Sequence, residues 1–141
     1  MFRKVLVGND GSEGAKKALH AAIDLAKRYD AELHEICIEE HLPHYAATIG
    51  EVVEAKQEAT DYFRQVTRDA EQLAGTHGIR LTSHVLPGHH VVETIVQFVK
   101  DRGFDVLVIG FMGHSRLFEH IWGGTSQNLT RLSSCSVLVV K

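Results

Sequence analysis

This chain has very little to staple it together or to mark it for export. It holds two cysteines, Cys37 and Cys135, and no Cys-x-x-Cys pair. Each lies in or beside a strand-like apolar run and reads as a buried free thiol. No long Lys/Arg cluster occurs. Fifteen basic against eighteen acidic side chains give a net charge of −3. That mild acidic balance excludes nucleic acid and anionic membrane as general partners. The longest apolar runs are about seven residues, against the roughly 20 that a spanning helix needs. Met1-Phe2-Arg3-Lys4-Val5 enters a strand at once and leaves no room for a signal peptide, so the expected location is the cytoplasm. There is no internal repeat, low-complexity tract or linker, and the length suits one domain over residues 1–141 with a real core. Catalytic patterns are missing too. No Ser-His-Asp or Cys-His constellation and no carboxylate pair suited to acid–base work is evident. The ten histidines invite a metal, but metal sites need three or four converging ligands. Adjacent His89-His90 point different ways and no His-x3-His occurs on a helix. Surface side chains are the plainer reading of these two and of His41 and His44.

What is present is a regular alternation of strand-like and helix-like segments. Residues 3–9 read as a first strand. Ser12 is a candidate N-cap, and Ala15, Ala18, Leu19, Ala22, Ile23, Leu25 and Ala26 recur at helical spacing up to Tyr29. Residues 32–38 read as a second strand and 39–48 as a loop containing Pro43. Residues 51–76 read as a long helix with Val52, Val53, Ala55, Ala59, Phe63, Val66, Ala70 and Leu73 on its apolar side, ended by Gly75 and Gly78. A third strand spans 79–86 and stops at Pro87-Gly88. A third helix spans 91–100, and a turn at Asp101-Arg102-Gly103 follows. Residues 104–109 are nearly all apolar, as in a strand buried on both faces. A loop over 111–122, a helix over 125–133 and a strand over 136–140 complete the chain. Such alternation demands an α/β fold: an open parallel sheet of five strands, helices on both faces, right-handed crossovers. Ligands of such sheets bind beyond the carboxyl ends of the strands, where the strand order reverses.

The fourth strand runs directly into Val108-Ile109-Gly110-Phe111-Met112-Gly113, and nine residues later comes Gly123-Gly124-Thr125-Ser126 at the head of a helix. Glycines at a strand end admit a ligand close to the backbone. Glycines before a helix expose free N–H groups at the positive end of its dipole. Together they read as a cradle for a phosphate chain, although glycines that only make turns would look alike. The spacing is neither that of a P-loop nor that of the dinucleotide fingerprint.

The spacing Gly-x2-Gly-x9-Gly at Gly110, Gly113 and Gly123 resembles the nucleotide signature of the universal stress proteins. The resemblance extends to Lys4-Val5-Leu6-Val7-Gly8-Asn9-Asp10-Gly11-Ser12-Glu13 at one end and Val137-Leu138-Val139-Val140-Lys141 at the other, and so covers nearly the whole chain. It implies a Rossmann-like nucleotide-binding fold with strand order 3-2-1-4-5. The reversal then falls between strands one and four, so Asp10 and Gly110 should meet although a hundred residues separate them. It also implies a homodimer through the last strand, a regulated partner protein, and ATP or a related adenine nucleotide as ligand, with or without magnesium.

The site that the resemblance implies begins with Asn9 and Asp10. The Asp10 carboxylate would accept from ribose or the adenine amino group, or support a metal near the phosphates; an Asp-Gly turn that caps the first helix is the competing reading. Backbone groups of Cys37 and Ile38 would meet the adenine edge, with core packing as the alternative. Gly110, Met112, Gly113, His114, Gly123, Gly124, Thr125 and Ser126 would form the cradle, with Thr125 and Ser126 adding hydroxyl donors. Arg116 and His120 lie in the same loop, which Phe111 and Trp122 flank; these two read as anchors of the loop more than as a lid over the ligand. One departure stands out: the family pattern has Ser or Thr directly after the third glycine, where this chain has Gly124. One hydrogen bond to a charged group, roughly 1.5–3 kcal/mol, is absent there, which implies weakened but retained binding. The expected activity is regulatory. Slow ATP hydrolysis or autophosphorylation at Thr125 or Ser126 is the most chemistry this site suggests. The competing reading is a dimeric interaction module that binds no nucleotide.

Overall fold

The computed structural model describes residues 1–40, 48–111 and 124–141. Among these, strands and helices alternate as β1 (Lys4–Gly8), α1 (Glu13–Tyr29), β2 (Glu32–Glu39), α2 (Ile49–Thr76), β3 (Leu81–Pro87), α3 (Val91–Arg102), β4 (Val106–Gly110), α4 (Gly124–Leu132) and β5 (Ser136–Val140). The strands form one five-stranded sheet in the order β3-β2-β1-β4-β5. Each pairing in it is parallel. The expected order therefore holds.

Covering both faces explains the apolar strands. Val5, Leu6 and Val7 of β1 are all fully buried. Val5 and Val7, with Val106 and Val108 of β4, pack on one face against Ala18, Leu19, Ala22 and Ile23 of α1 and Ala70 and Ala74 of α2. Leu6, Leu107 and Ile109 pack on the other against Ile95, Phe98 and Val99 of α3 and Leu129 of α4. Helix α1 starts where expected: Ser12 Oγ accepts from Ala15 N at 3.1 Å. It stops at Asp30, which takes the left-handed conformation with φ 51°.

The boundaries that differ have identifiable causes. Helix α2 begins at Ile49 because Thr48 and Glu51 form a reciprocal capping box. It continues through Gly75, and the reversal falls at Gly78, whose φ is +72°. Of its proposed apolar side only Ala70 is fully buried, while Val53 is 62% exposed. A helix of 28 residues is about 42 Å long and outruns strands of roughly 25 Å, so its first turns, before Thr60 reaches Glu39 at the end of β2, extend past the sheet. Strand β4 begins at Val106, since Asp105 turns its carboxylate to the N–H groups of Arg3 and Lys4 at 2.8 and 2.9 Å. Strand β3 begins at Leu81; Ile79 N–H still serves the end of α2 through Ala74 O at 3.0 Å. No described helix is long and apolar enough to cross a membrane.

Candidate ligand site at the sheet reversal

Strand β1 pairs β2 on one side and β4 on the other, through Val5↔Val106 and Val7↔Val108. The chain leaving β1 enters α1 on one face, and α4, which follows β4, packs on the opposite face. The strand order reverses between β1 and β4, and in open α/β sheets the carboxyl ends of the strands at such a reversal are where ligands bind. Strand β2 runs on past its last β1 pair, Gly8↔Ile36, through Cys37, Ile38 and Glu39, where its partners are Val85, Leu86 and Pro87 of β3.

The turn after β1 is held from several directions. Asn9 is buried; its Oδ1 accepts from Gly11 N at 3.0 Å and its Nδ2 donates to Glu35 Oε2 at 2.9 Å. Asp10 Oδ1 accepts from Ser12 N at 2.9 Å. The Tyr62 hydroxyl of α2 donates to Asp10 O at 2.6 Å. Burial first, and then the Asp10 carboxylate nearby, raises the Tyr62 phenol above its ordinary pKa. Gly11 has φ +81°, and a Cβ there would run into the Tyr62 hydroxyl and come within 2.9 Å of Val66 Cγ2. Only glycine satisfies that turn at that distance.

Gly110 closes the other side. A Cβ on it would lie 2.6 Å from the backbone C and O of Gly14. The first turn of α1 therefore packs directly on the end of β4. Ser126 Oγ donates to Gly110 O at 3.1 Å, which ties the first turn of α4 to the same strand end. The structure thus joins Ser126 to Gly110, and it packs Gly14, four residues beyond Asp10, on the same strand end. Gly124 and Thr125 open α4 beside them, partly buried. The first N–H groups of a helix lack intrahelical partners. The Asp10 side and the α4 side thus present acceptor and donor chemistry that fits a nucleoside and its phosphates respectively. Cys37 is fully buried; burial first, then Glu35 and Asp10, push its thiol far above the ordinary range. It offers no reactive thiolate. Ile38 is half-buried beside it. Met112, Gly113, His114 and Gly123 lie outside the described residues, as do Arg116, His120 and Trp122.

Phe111 is anchored toward β5: its N–H donates to Val140 O at 3.0 Å and Lys141 Nζ stands 5.4 Å above its ring. A pocket of about 370 Å³ opens beside it, lined by Ser126, Thr130, Arg131, Val139 and Lys141 among others. That pocket shares Ser126 with the reversal but includes neither Asp10 nor Gly110, so it is a separate feature of the β5 side. His89 and His90 are exposed. Among the described residues no group of three His, Cys, Asp or Glu could hold a metal; His41 and His44 lie outside them. Sequence reasoning missed Glu35, Tyr62, Glu71 and Ser83. Glu35 did carry a signal, a carboxyl at the same two-residue period as the apolar Leu33 and Cys37. The others lie on half-exposed surfaces and carried none.

These features define an open, doubly wound α/β protein with a candidate ligand site at its sheet reversal. Residues 1–141 match the model of the universal stress protein family. The chain belongs to that family. It is 30% identical over 149 residues to the universal stress protein YxiE of Bacillus subtilis (strain 168), covering 100% of both chains. Among solved structures it resembles the universal stress protein UspA from Lactobacillus plantarum, with TM-score 0.88, 22% identity and coverage of 99% and 98% of the two chains. It also resembles a universal stress protein in complex with cAMP, with TM-score 0.76, 23% identity and coverage of 99% and 97%.

Proposed function

We propose that this protein binds an adenine nucleotide, ATP or a close relative, with or without magnesium, at the carboxyl ends of β1 and β4. In this reading it acts as a cytoplasmic stress-response regulator of a partner protein and not as a turnover enzyme. The observation that carries the reading is the Gly110, Gly113, Gly123 spacing in the sequence, which starts at the end of β4, the strand that neighbours β1 at the reversal. The structural relative that holds cAMP supports the choice of adenine. Asp10 accepts from ribose or the adenine amino group, and the backbone of Cys37 and Ile38 meets the ring edge. The glycine loop, with Met112 and His114, wraps the phosphates, and the N–H groups of Gly124, Thr125 and Ser126 complete the cradle. The chain folds as one domain and pairs with a second copy through β5.

The reading predicts that native mass spectrometry of the chain, purified without added nucleotide, finds an adenine nucleotide bound. A chain purified bare that also fails to take up ATP, AMP or cAMP overturns it. Asp10→Ala should weaken ATP binding by about ten- to a hundredfold, the worth of one hydrogen bond to a charged group. The cost in stability should be only about 1 kcal/mol, since Ser12 still caps α1. Calorimetry and denaturant unfolding of the same variant check both halves; unchanged affinity would make Asp10 a turn residue only.

Gly124→Ser should restore the missing hydroxyl and tighten ATP binding by up to about tenfold. Equal or weaker binding would mean that Gly124 is an adaptation. One observation favours the second reading, an interaction module without nucleotide. Ser126 commits its proton to Gly110 O, and Gly124 has no hydroxyl to replace it. Following ATP with magnesium over time separates the two: the first reading requires uptake, the second requires none.

A further inference from the structure

Glu35 is a carboxyl group on a strand face where its neighbours Leu33 and Cys37 are buried like itself. Among the described residues no cation pairs with it. Its Oε2 accepts from Asn9 Nδ2 at 2.9 Å. Its Oε1 lies 2.7 Å from Ser83 Oγ on β3, and the same Ser83 Oγ lies 2.7 Å from Glu71 Oε1 on α2. A hydroxyl has a single proton to donate. With both carboxyls ionised, one of those two contacts would press a lone pair against a carboxylate. The proton count closes only when one carboxyl is neutral. Glu71 is exposed and Glu35 is not, and burial disfavours the charged form. Glu35 Oε1–H therefore donates to Ser83, Ser83 donates to Glu71, and Glu35 Oε2 accepts from Asn9. Asn9 is fixed in the matching sense, because its Oδ1 already accepts from Gly11 N.

We propose that Glu35 is held as a neutral carboxylic acid and is the positioning residue for the Asn9–Asp10–Gly11 turn that forms the β1 side of the candidate ligand site. Its surroundings agree. Burial raises its pKa, its contacts with Asn9 and Ser83 oppose the rise, and the charge of Glu71 adds to it. Around it the loop after β1 supplies Asp10, α2 supplies Glu71 and Tyr62, and β2 itself supplies Cys37. Helix α1 covers this face with Ala15, Ala18, Leu19, Ala22, Ile23 and Ala26, none of them ionisable. Ionising Glu35 would thus add a negative charge among groups that are neutral or negative. The folded state holds this proton more tightly than the unfolded chain does. The stabilisation is accordingly full below the ordinary glutamate range and lost as pH rises through the folded value.

The role in ligand binding rests on the nucleotide reading; the protonation does not. Carbon NMR of labelled glutamate carboxyls, with Glu35 assigned by its loss in Glu35→Gln, reads the protonation directly. At about pH 6, above the ordinary glutamate value, Glu35 should keep the shift of a neutral acid. An ionised Glu35 there overturns the proposal. Glu35→Gln keeps a donor toward Ser83 and an acceptor toward Asn9. It should hold the Gly11 amide against hydrogen exchange as the native chain does, whereas Glu35→Ala should speed that exchange about tenfold. Protection unchanged in a folded Glu35→Ala chain also overturns it. With ATP and magnesium as probe, Glu35→Gln should bind within about twofold of native and without the native fall at high pH, and Glu35→Ala about tenfold more weakly. A native chain that binds no ATP would sink the nucleotide reading, and the NMR and exchange results would still decide Glu35.

Discussion

Gly110→Ala should lower the unfolding free energy by about 3 kcal/mol, at the upper end of ordinary overpacking costs. The added methyl would meet the Gly14 backbone at 2.6 Å, and backbone cannot swing aside as a side chain does. Relief requires that α1 lift from the end of β4, and α1 carries Ala18, Leu19 and Ala22 of the core. The same displacement would move the Asn9–Ser12 turn, so any ligand affinity should fall with the stability. Denaturant unfolding measures the first effect. An unchanged midpoint would show that α1 does not pack on Gly110 as described.

Val139→Pro should turn a dimer into a monomer without unfolding the sheet. A residue's N–H and C=O leave a strand on the same side. Val140 O accepts from Phe111 N, next to β4, so the Val139 N–H leaves toward the open edge of β5. Proline there removes an edge donor and spares the β4–β5 ladder. Leu138 is 41% exposed on this edge, and β5 itself carries no charge that would discourage pairing. Open apolar edges are paired or covered in natural proteins, and two copies related by a two-fold axis would cover both edges in one closed contact. Sedimentation at about 10 μM, well above a Kd typical of a stable pair, should find a dimer for the native chain and a monomer for the variant. A monomeric native chain would contradict the β5 pairing.

The strand order was implied by the family resemblance, whereas the double burial of the central strands was readable from the residues themselves: Val5-Leu6-Val7 and Val106-Leu107-Val108-Ile109 show no polar alternation. Ser12 was readable as a cap because capping is local. Glycine spacing located the reversal only through the resemblance it carries; by itself it shows that a side chain is unwelcome. That Gly110 faces the Gly14 backbone and Gly11 faces Tyr62 depends on partners far off in the sequence. The Asn9–Glu35–Ser83–Glu71 chain of contacts joins three elements and the loop after β1 over separations of 26, 48 and 12 residues and leaves no periodic trace. The outer turns of α2 misled for a related reason. Its apolar spacing is helical, but spacing alone does not say where the sheet beneath it ends.

Calorimetric titration of ATP with magnesium into the folded chain tests the central claim most directly. The account predicts saturable binding at one site per chain, complete below about 1 mM, and weakened by Asp10→Ala. A folded native chain that gives no saturable binding with ATP, AMP or cAMP up to that concentration would contradict it.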